Sequence, residues 1–303
     1  MRRFIACSIS AMKIGIAGTG KMGAAMAQRL ASVGHELSVW NRTAEKTRPL
    51  AEAGMKVANV PADLLKTNDV IISMLGDAAA VDSVYAQLFA ASPQGKLFIE
   101  MSTVRPDVSR SLAAKARARG AAFVECPVGG SVGPAKEGKL FGFVGAEPAD
   151  LARARPILEQ LCRRVEHLGP VGSGASMKLA INLPLIVYWQ ALGEALCLIR
   201  GLNLDPTRVM DILGDTSGAP AMLKNRAGTI AAALAGKENP NVTVDIDTLR
   251  KDLQEMVDEG RALGRMLPVT ERTLECFEQA SRAGLGGKDC SSMPATWLRR
   301  ADH

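Results

Sequence analysis

The most constraining stretch of this chain is Gly18-Thr19-Gly20-Lys21-Met22-Gly23, because of what stands on either side of it. The apolar run Ile14, Ile16, Ala17 reads as a buried strand, and Met22, Met26, Ala27 and Leu30 recur at helical spacing. Gly-x-Gly-x-x-Gly between a strand and a helix is the context in which this motif binds a dinucleotide. Gly18 permits a tight turn, Gly20 lets the backbone approach a pyrophosphate, and Gly23 lets the helix pack close to the strand. The helix N-terminus then offers N–H groups and a positive dipole end to the phosphates. Residues 18–23 are therefore read as a cofactor-binding loop.

The pattern repeats downstream. A second strand, Glu36–Trp40, ends in Asn41-Arg42-Thr43, about 20 residues past the glycines, where such a unit meets the adenosine ribose. An acid there would bond the ribose hydroxyls and repel a 2′-phosphate. Arg42 instead pairs with a phosphate through its guanidinium fork and Thr43 adds a hydroxyl, so the reading favours NADP, with NAD also possible. A solvated turn with Thr43 capping the next helix fits the same residues. A helix over Ala44–Ala53, a strand near Met55–Val57 and a short helix near Ala62–Lys66 follow. The run Val70-Ile71-Ile72-Ser73-Met74-Leu75 reads as an apolar strand, as in a parallel sheet covered on both faces. It ends at Met74 and Leu75, and the strand Lys96–Glu100 ends at Ser102 and Thr103. In doubly wound sheets ligands lie beyond the carboxyl ends of strands, so these four residues border the cofactor, with Ser102 on the substrate side. As plain helix caps Ser102 and Thr103 would need no ligand.

Strands alternating with helices predict an α/β fold with an N-terminal doubly wound Rossmann sheet. Residues 1–11 are read as an N-terminal extension, 12–172 as the dinucleotide-binding domain, and 173–303 as an all-helical domain for substrate and dimerisation. A chain of 303 residues, 47% hydrophobic and 22% charged, accommodates two such domains. The net charge of +6 suits anionic ligands. No run of five basic residues exists and aromatics are 4%, which argues against nucleic acid. Six cysteines without Cys-x-x-Cys spacing read as free thiols of a reducing, cytoplasmic setting, and three isolated histidines form no metal pattern. The apolar run Met177–Leu198 carries Lys178, Asn182, Pro184 and Glu194, so it reads as a buried helix and not a membrane span.

Two later stretches carry chemistry. Glycines 129, 130 and 133 around Ser131 make a loop whose N–H groups can converge on an anion. Lys178 and Asn182, four apart, share one face of a long helix. Apolar neighbours disfavour the charged form of a lysine and bring it toward proton transfer. A lysine snorkelling to the surface at a helix start fits the same spacing. Pro184 predicts a kink just past the pair.

In four ordered motifs the chain resembles the β-hydroxyacid dehydrogenase family. These are Gly15–Ala27, Glu125–Leu140, Gly172–Asn182 and Lys251-Asp252-Leu253, and together they span nearly the whole sequence. The resemblance implies NAD(P)-dependent interconversion of a small β- or γ-hydroxy acid and its semialdehyde. Lys178 would be the general acid/base and Asn182 an orienting group. Thr103 would line the nicotinamide ribose, and Lys251 would approach the cofactor. Gly129, Gly130 and Ser131, with Ser102, would hold a small carboxylate-bearing substrate. It implies no metal, and a homodimer or homotetramer. In the substrate loop the chain carries Glu125, Gly129-Gly130-Ser131 and Pro134 where the family commonly has Asp, Ser-Gly-Gly and Gly. The imine reductases share the fold and an Asn-Arg-Thr turn but commonly have Asp or Tyr in place of Lys178. An imine reductase, and a non-catalytic NADP-binding module, are the competing readings.

Overall fold

A computed structural model describes residues 11–299. The extension read over 1–11 lies, apart from Ala11, outside the described residues. The chain divides within one helix into two compact units, the first ending at Lys178 and the second starting at Leu179.

The first unit runs β1 (Lys13–Ala17), α1 (Lys21–Ser32), β2 (Glu36–Trp40), α2 (Arg48–Glu52), β3 (Lys56–Val57), α3 (Leu64–Thr67), β4 (Val70–Ser73), α4 (Ala78–Ala90), β5 (Leu97–Glu100), α5 (Pro106–Arg117), β6 (Ala122–Glu125), β7 (Val128–Gly129), α6 (Val132–Glu137), β8 (Leu140–Ala146), α7 (Pro148–Leu161) and β9 (Cys162–Gly169). The sheet order is β3-β2-β1-β4-β5-β6-β8-β7, with β9 on β8. Period-two alternation sorts the side chains of its central strands. Val70, Ile72, Leu97, Ile99 and Val124 join a core with Met26 and Leu30 of α1 and Ile157 of α7. Their neighbours Ile71, Phe98 and Phe123 face the other way, onto Tyr85 and Leu88 of α4 and Leu112 of α5. Both faces are thus covered by helices, which is why these strands are apolar throughout. The chain winds outward from β1 to β3 and then restarts beside β1 with β4, so the carboxyl ends of β1 and β4 form the switch point where ligands bind.

Three details depart from the sequence reading. The helix over Ala44–Ala53 is a 3₁₀ turn, Ala44–Thr47, followed by α2, because Pro49 at the first turn of α2 starts a new helix. The sheet is not parallel throughout, since β8 runs antiparallel to both β6 and β7. Residues between β6 and β8 are taken up by β7 and the short α6, so no long crossover helix carries the chain back to the starting edge. From its sequence Val165–Leu168 reads as the last strand of this unit, and β9 is longer, Cys162–Gly169.

A long helix, α8 (Ser173–Leu198), leaves the first unit and enters the second. It is long and apolar enough to cross a membrane by length and composition. Its Ile186, Trp189, Leu192 and Leu196 are buried in the core of the helical unit, as the reading of a core helix requires. It continues as one helix through Pro184. The rest of the second unit is α9 (Pro206–Gly214), α10 (Ala221–Leu234), α11 (Ile246–Ala262), α12 (Pro268–Ala280) and α13 (Met293–Arg299), packed around Leu223, Ile230, Leu253, Met256 and Phe277.

Asp289 ties the irregular segments of this unit together. Its carboxylate accepts from Thr243 N (2.9 Å), Thr243 Oγ1 (3.1 Å), Ser291 Oγ (2.7 Å) and Arg226 Nη1 (3.3 Å). Burial pushes this carboxyl up, but those donors outweigh it and hold it below the usual carboxylate range. A depressed carboxyl contributes stability above its unfolded pKa and loses it as pH falls through the folded value. Asp289→Asn is expected to cost about 3 kcal/mol near neutral pH. The gap to wild type in urea denaturation should close as pH is lowered from about 6 toward 3.

Candidate functional site

The site is built from the turn between β1 and α1. Gly18 has φ +99°, and a Cβ there would overlap the Met74 carbonyl oxygen. A Cβ on Gly23 would overlap the Gly18 carbonyl oxygen, so α1 lies against the turn more closely than any side chain allows. Gly20 differs from both. Its backbone is at φ −64° and nothing lies within 4 Å of where its Cβ would be. Conformation and protein packing leave Gly20 free to be any residue, and the open space faces a cleft. Gly20 stands just before α1, which has no side-chain cap and no acid in its first turn. An uncapped helix start beside an open glycine is the cradle a pyrophosphate fits.

The cleft has a volume of about 410 Å³ and is bordered by Gly18, Gly20, Arg42, Lys46, Met74 and Leu75. Asn41 shapes it from below. Its Oδ1 accepts from Thr19 N (3.0 Å), and its Nδ2 donates to Thr43 O (3.0 Å). Asn41 therefore holds the glycine turn to the end of β2. Thr19 is buried, its N–H taken by Asn41 and its hydroxyl donated to Lys46 O (3.4 Å). Arg42 and Thr43 are exposed at the cleft, and Lys46 joins them. No motif in the sequence marks Lys46; the 3₁₀ turn Ala44–Thr47 carries it to the cleft that Arg42 also borders. Lys21 and Met22 follow Gly20 in the first turn of α1.

Behind Met74 and Leu75 lies a buried polar chain. Ser73 Oγ donates to Glu100 Oε2 (2.5 Å) and shares a hydrogen bond with the Tyr85 hydroxyl (2.8 Å). Glu100 Oε1 accepts from Ser102 N (2.7 Å), and Ser102 Oγ accepts from Leu75 N (2.8 Å). Burial raises the Glu100 carboxyl above its usual range against these donors. Ser102 is 2% exposed and its hydroxyl accepts from the loop after β4, so it holds that loop beside the cleft and does not face a substrate. Thr103, next along, is half-buried.

The glycine-rich loop after β6 is more ordered than a free nest. Gly129 is paired with Phe141 in the β7–β8 ladder. Gly130, at φ +125°, turns the chain where a Cβ would come within 2.8 Å of Leu140 Cδ2, and Ser131 precedes α6 with its hydroxyl unused as a cap. Cys126 beside the loop is fully buried, and the adjacent Cys162 thiol, together with burial, holds it far above the usual thiol range. It is no nucleophile.

Lys178 is half-buried on α8, and Asn182 follows one turn later. In the second unit Asn182 Nδ2 donates to Asp252 Oδ2 (3.1 Å), while Lys251 Nζ lies 2.9 Å from Asp252 Oδ1. Asp252 thus fixes the amide of Asn182 and pairs with Lys251. The sequence carried its signal within Lys251-Asp252-Leu253, but nothing in the spacing linked it to a residue 70 positions away.

Residues 13–169 match the NAD-binding domain of 6-phosphogluconate dehydrogenase, and residues 172–297 match the NAD-binding model of NADP-dependent 3-hydroxyisobutyrate dehydrogenase. Glyoxylate/succinic semialdehyde reductase 1 of Arabidopsis thaliana is 31% identical over 285 residues, covering 93% of this chain and 97% of that protein. A solved 3-hydroxyisobutyrate dehydrogenase of Mycobacterium tuberculosis with L-serine is similar at a TM-score of 0.83 and 26% identity, covering 96% and 100% of the two chains. A reductive aminase from Aspergillus terreus with NADPH and ethyl-5-oxohexanoate is similar at a TM-score of 0.63 and 26% identity, covering 94% and 98%.

The contrast between Gly20 and Gly23 is testable with one matched pair. Gly20→Ala is expected to keep the wild-type melting temperature yet weaken NADPH binding about tenfold, read by fluorescence titration. Gly23→Ala should instead cost roughly 2–3 kcal/mol of stability, read by denaturant unfolding.

Proposed function

The chain belongs to the β-hydroxyacid dehydrogenase family of NAD(P)-dependent oxidoreductases, and on that premise we propose that it prefers NADP and interconverts a small β- or γ-hydroxy acid with its semialdehyde. The cleft beyond β1 and β2 carries this reading. Its glycines cradle a pyrophosphate, and Arg42 and Lys46 stand where a 2′-phosphate would lie. Met74, Leu75 and Thr103 border the nicotinamide half. Lys251 is read as a cofactor-side cation, held by Asp252.

A bound nicotinamide supplies the hydride in reduction and accepts it in oxidation. Lys178 does the protein's part at the reacting oxygen. Its ammonium hydrogen-bonds the aldehyde oxygen and releases a proton to it as charge develops there. In oxidation the neutral amine takes the proton from the hydroxyl. Asn182, its amide fixed by Asp252, orients the substrate. Gly130 and Ser131 hold the substrate carboxylate, with Gly129 anchoring that loop to β8. The free cysteines fit a reducing, cytoplasmic setting.

A homodimer or homotetramer accounts for the outward apolar side chains of the second unit. Ile181 and Leu198 on α8 are 36% and 88% exposed, and Leu202 just beyond is 63% exposed. Light scattering is expected to report a dimer or larger, and Leu198→Glu with Leu202→Glu should shift it toward monomer.

The activity test is NADPH oxidation against glyoxylate, succinic semialdehyde, methylmalonate semialdehyde and a cyclic imine. One aldehyde acid should turn over, and Lys178→Ala should lower kcat about a hundredfold or more with NADPH binding intact. Arg42→Ala should raise KM for NADPH about tenfold and leave KM for NADH nearly unchanged. Imine turnover surviving Lys178→Ala would instead support the imine reductase reading, which the reductive aminase likeness motivates.

A further inference from the structure

Glu125 ends β6 and is fully buried, yet it belongs to neither the cofactor cleft nor the glycine loop. Its Oε1 accepts from Gly172 N (2.6 Å), Gly174 N (2.8 Å) and Ala175 N (3.4 Å). These are the otherwise orphaned donors at the start of α8. Space around this contact is reserved for it. A Cβ on Gly145 of β8 would overlap Glu125 Oε1, and a Cβ on Gly174 would overlap the Phe143 carbonyl oxygen and come 3.1 Å from Gly145 N. The start of α8 is therefore seated on β8 with no side chain between them, and the carboxylate pins it from one side.

Lys178 stands one turn further along. In the helical pattern its own N–H bonds the carbonyl of Gly174, the residue whose N–H Glu125 holds. The same peptide segment is gripped from the front by Glu125 and from behind by Lys178. A shift of the helix start passes directly to the lysine.

We propose that Glu125 is the positioning residue for Lys178, fixing through the first turn of α8 where the lysine amine stands relative to the reacting oxygen. This rests on the reading of Lys178 as the acid/base. The group that matters is an acceptor oxygen at the reach of a glutamate side chain. Arg110, packed against Gly172, and the Ser109 hydroxyl are the other polar groups of α5 at this seat.

The test is a kinetic cycle on the full-length enzyme, with kcat scaled to NADPH-binding sites so that any unfolded fraction drops out. Glu125→Ala should lower kcat about twentyfold while the Kd for NADPH changes less than twofold. Glu125→Gln, which keeps the acceptor oxygen at the same reach, should recover most of that loss. Glu125→Asp, which draws the oxygen back by about 1.5 Å, should recover little. In a Lys178→Ala background Glu125→Ala should lower kcat by less than twofold more, because residues acting as one unit are not additive. Full additivity, or a Glu125→Ala enzyme with wild-type kcat per site, would overturn the proposal while a large Lys178→Ala effect keeps the lysine reading. A Lys178→Ala enzyme with wild-type kcat would remove the lysine reading and this proposal with it. Should Glu125→Ala fail to fold, equal kcat in the Gln and Asp variants overturns the proposal and the Gln-above-Asp order supports it.

Discussion

The cofactor half of this molecule depends on a helix that begins nearer to a strand end than a methyl group would permit. At Gly23 the backbone of α1 meets the Gly18 carbonyl, and at Gly18 the turn meets the Met74 carbonyl that follows β4. These two contacts bring together α1, the end of β1 and the end of β4, the switch point of the sheet. What this closeness creates is a helix start with no side chain in front of it. Gly20 then faces open space, and the dipole and N–H groups of α1 point into the cleft without a cap of their own.

The adjacent strands carry a second theme. Glu100 and Glu125 are register partners at the ends of β5 and β6, and both are buried with carboxyls raised by burial. A buried carboxylate is costly unless hydrogen-bonded. Each spends its acceptors on structure that must be held still. Glu100 organises Ser73, Tyr85 and Ser102, and through Ser102 the Leu75 amide beside the cofactor cleft. Glu125 organises the first turn of α8. Two neighbouring acids on one sheet face thus serve two different parts of the site, with their surroundings deciding which.

Local periodicity made much of this legible. The strand–helix alternation through β6, the tight turn at Gly18, the close packing at Gly23 and the helical second unit all follow from patterns within a few residues of one another. What stayed hidden was set by partners distant in sequence. The reversal at β8 was invisible because the apolar residues of Phe141–Val144 carry no mark of strand direction. Pro49 restarted a helix that apolar spacing alone would have run on. Ser102 looked like a ligand group because its position at a strand end was correct, but its hydroxyl is taken by Leu75, 27 residues away. Glu125 and Asp252 stood inside recognisable motifs, yet their partners lie 47–50 and 70 residues off. No local pattern states such pairings.

The amide at position 41 shows how turn geometry and the charge of the cleft are linked. An aspartate there would still accept the Thr19 N–H with one oxygen. It would place its other oxygen against the Thr43 carbonyl, where Asn41 now donates, and the two acceptors would repel. The neutral amide satisfies both contacts and adds no negative charge beside Arg42 and Lys46. Among the described residues no carboxylate forms an ion pair with either cation, and both stay exposed at the cleft. A chain that selects asparagine to close the glycine turn therefore also keeps that end of its cleft free of an added carboxylate, so one residue sets both the geometry of the turn and the charge beside it.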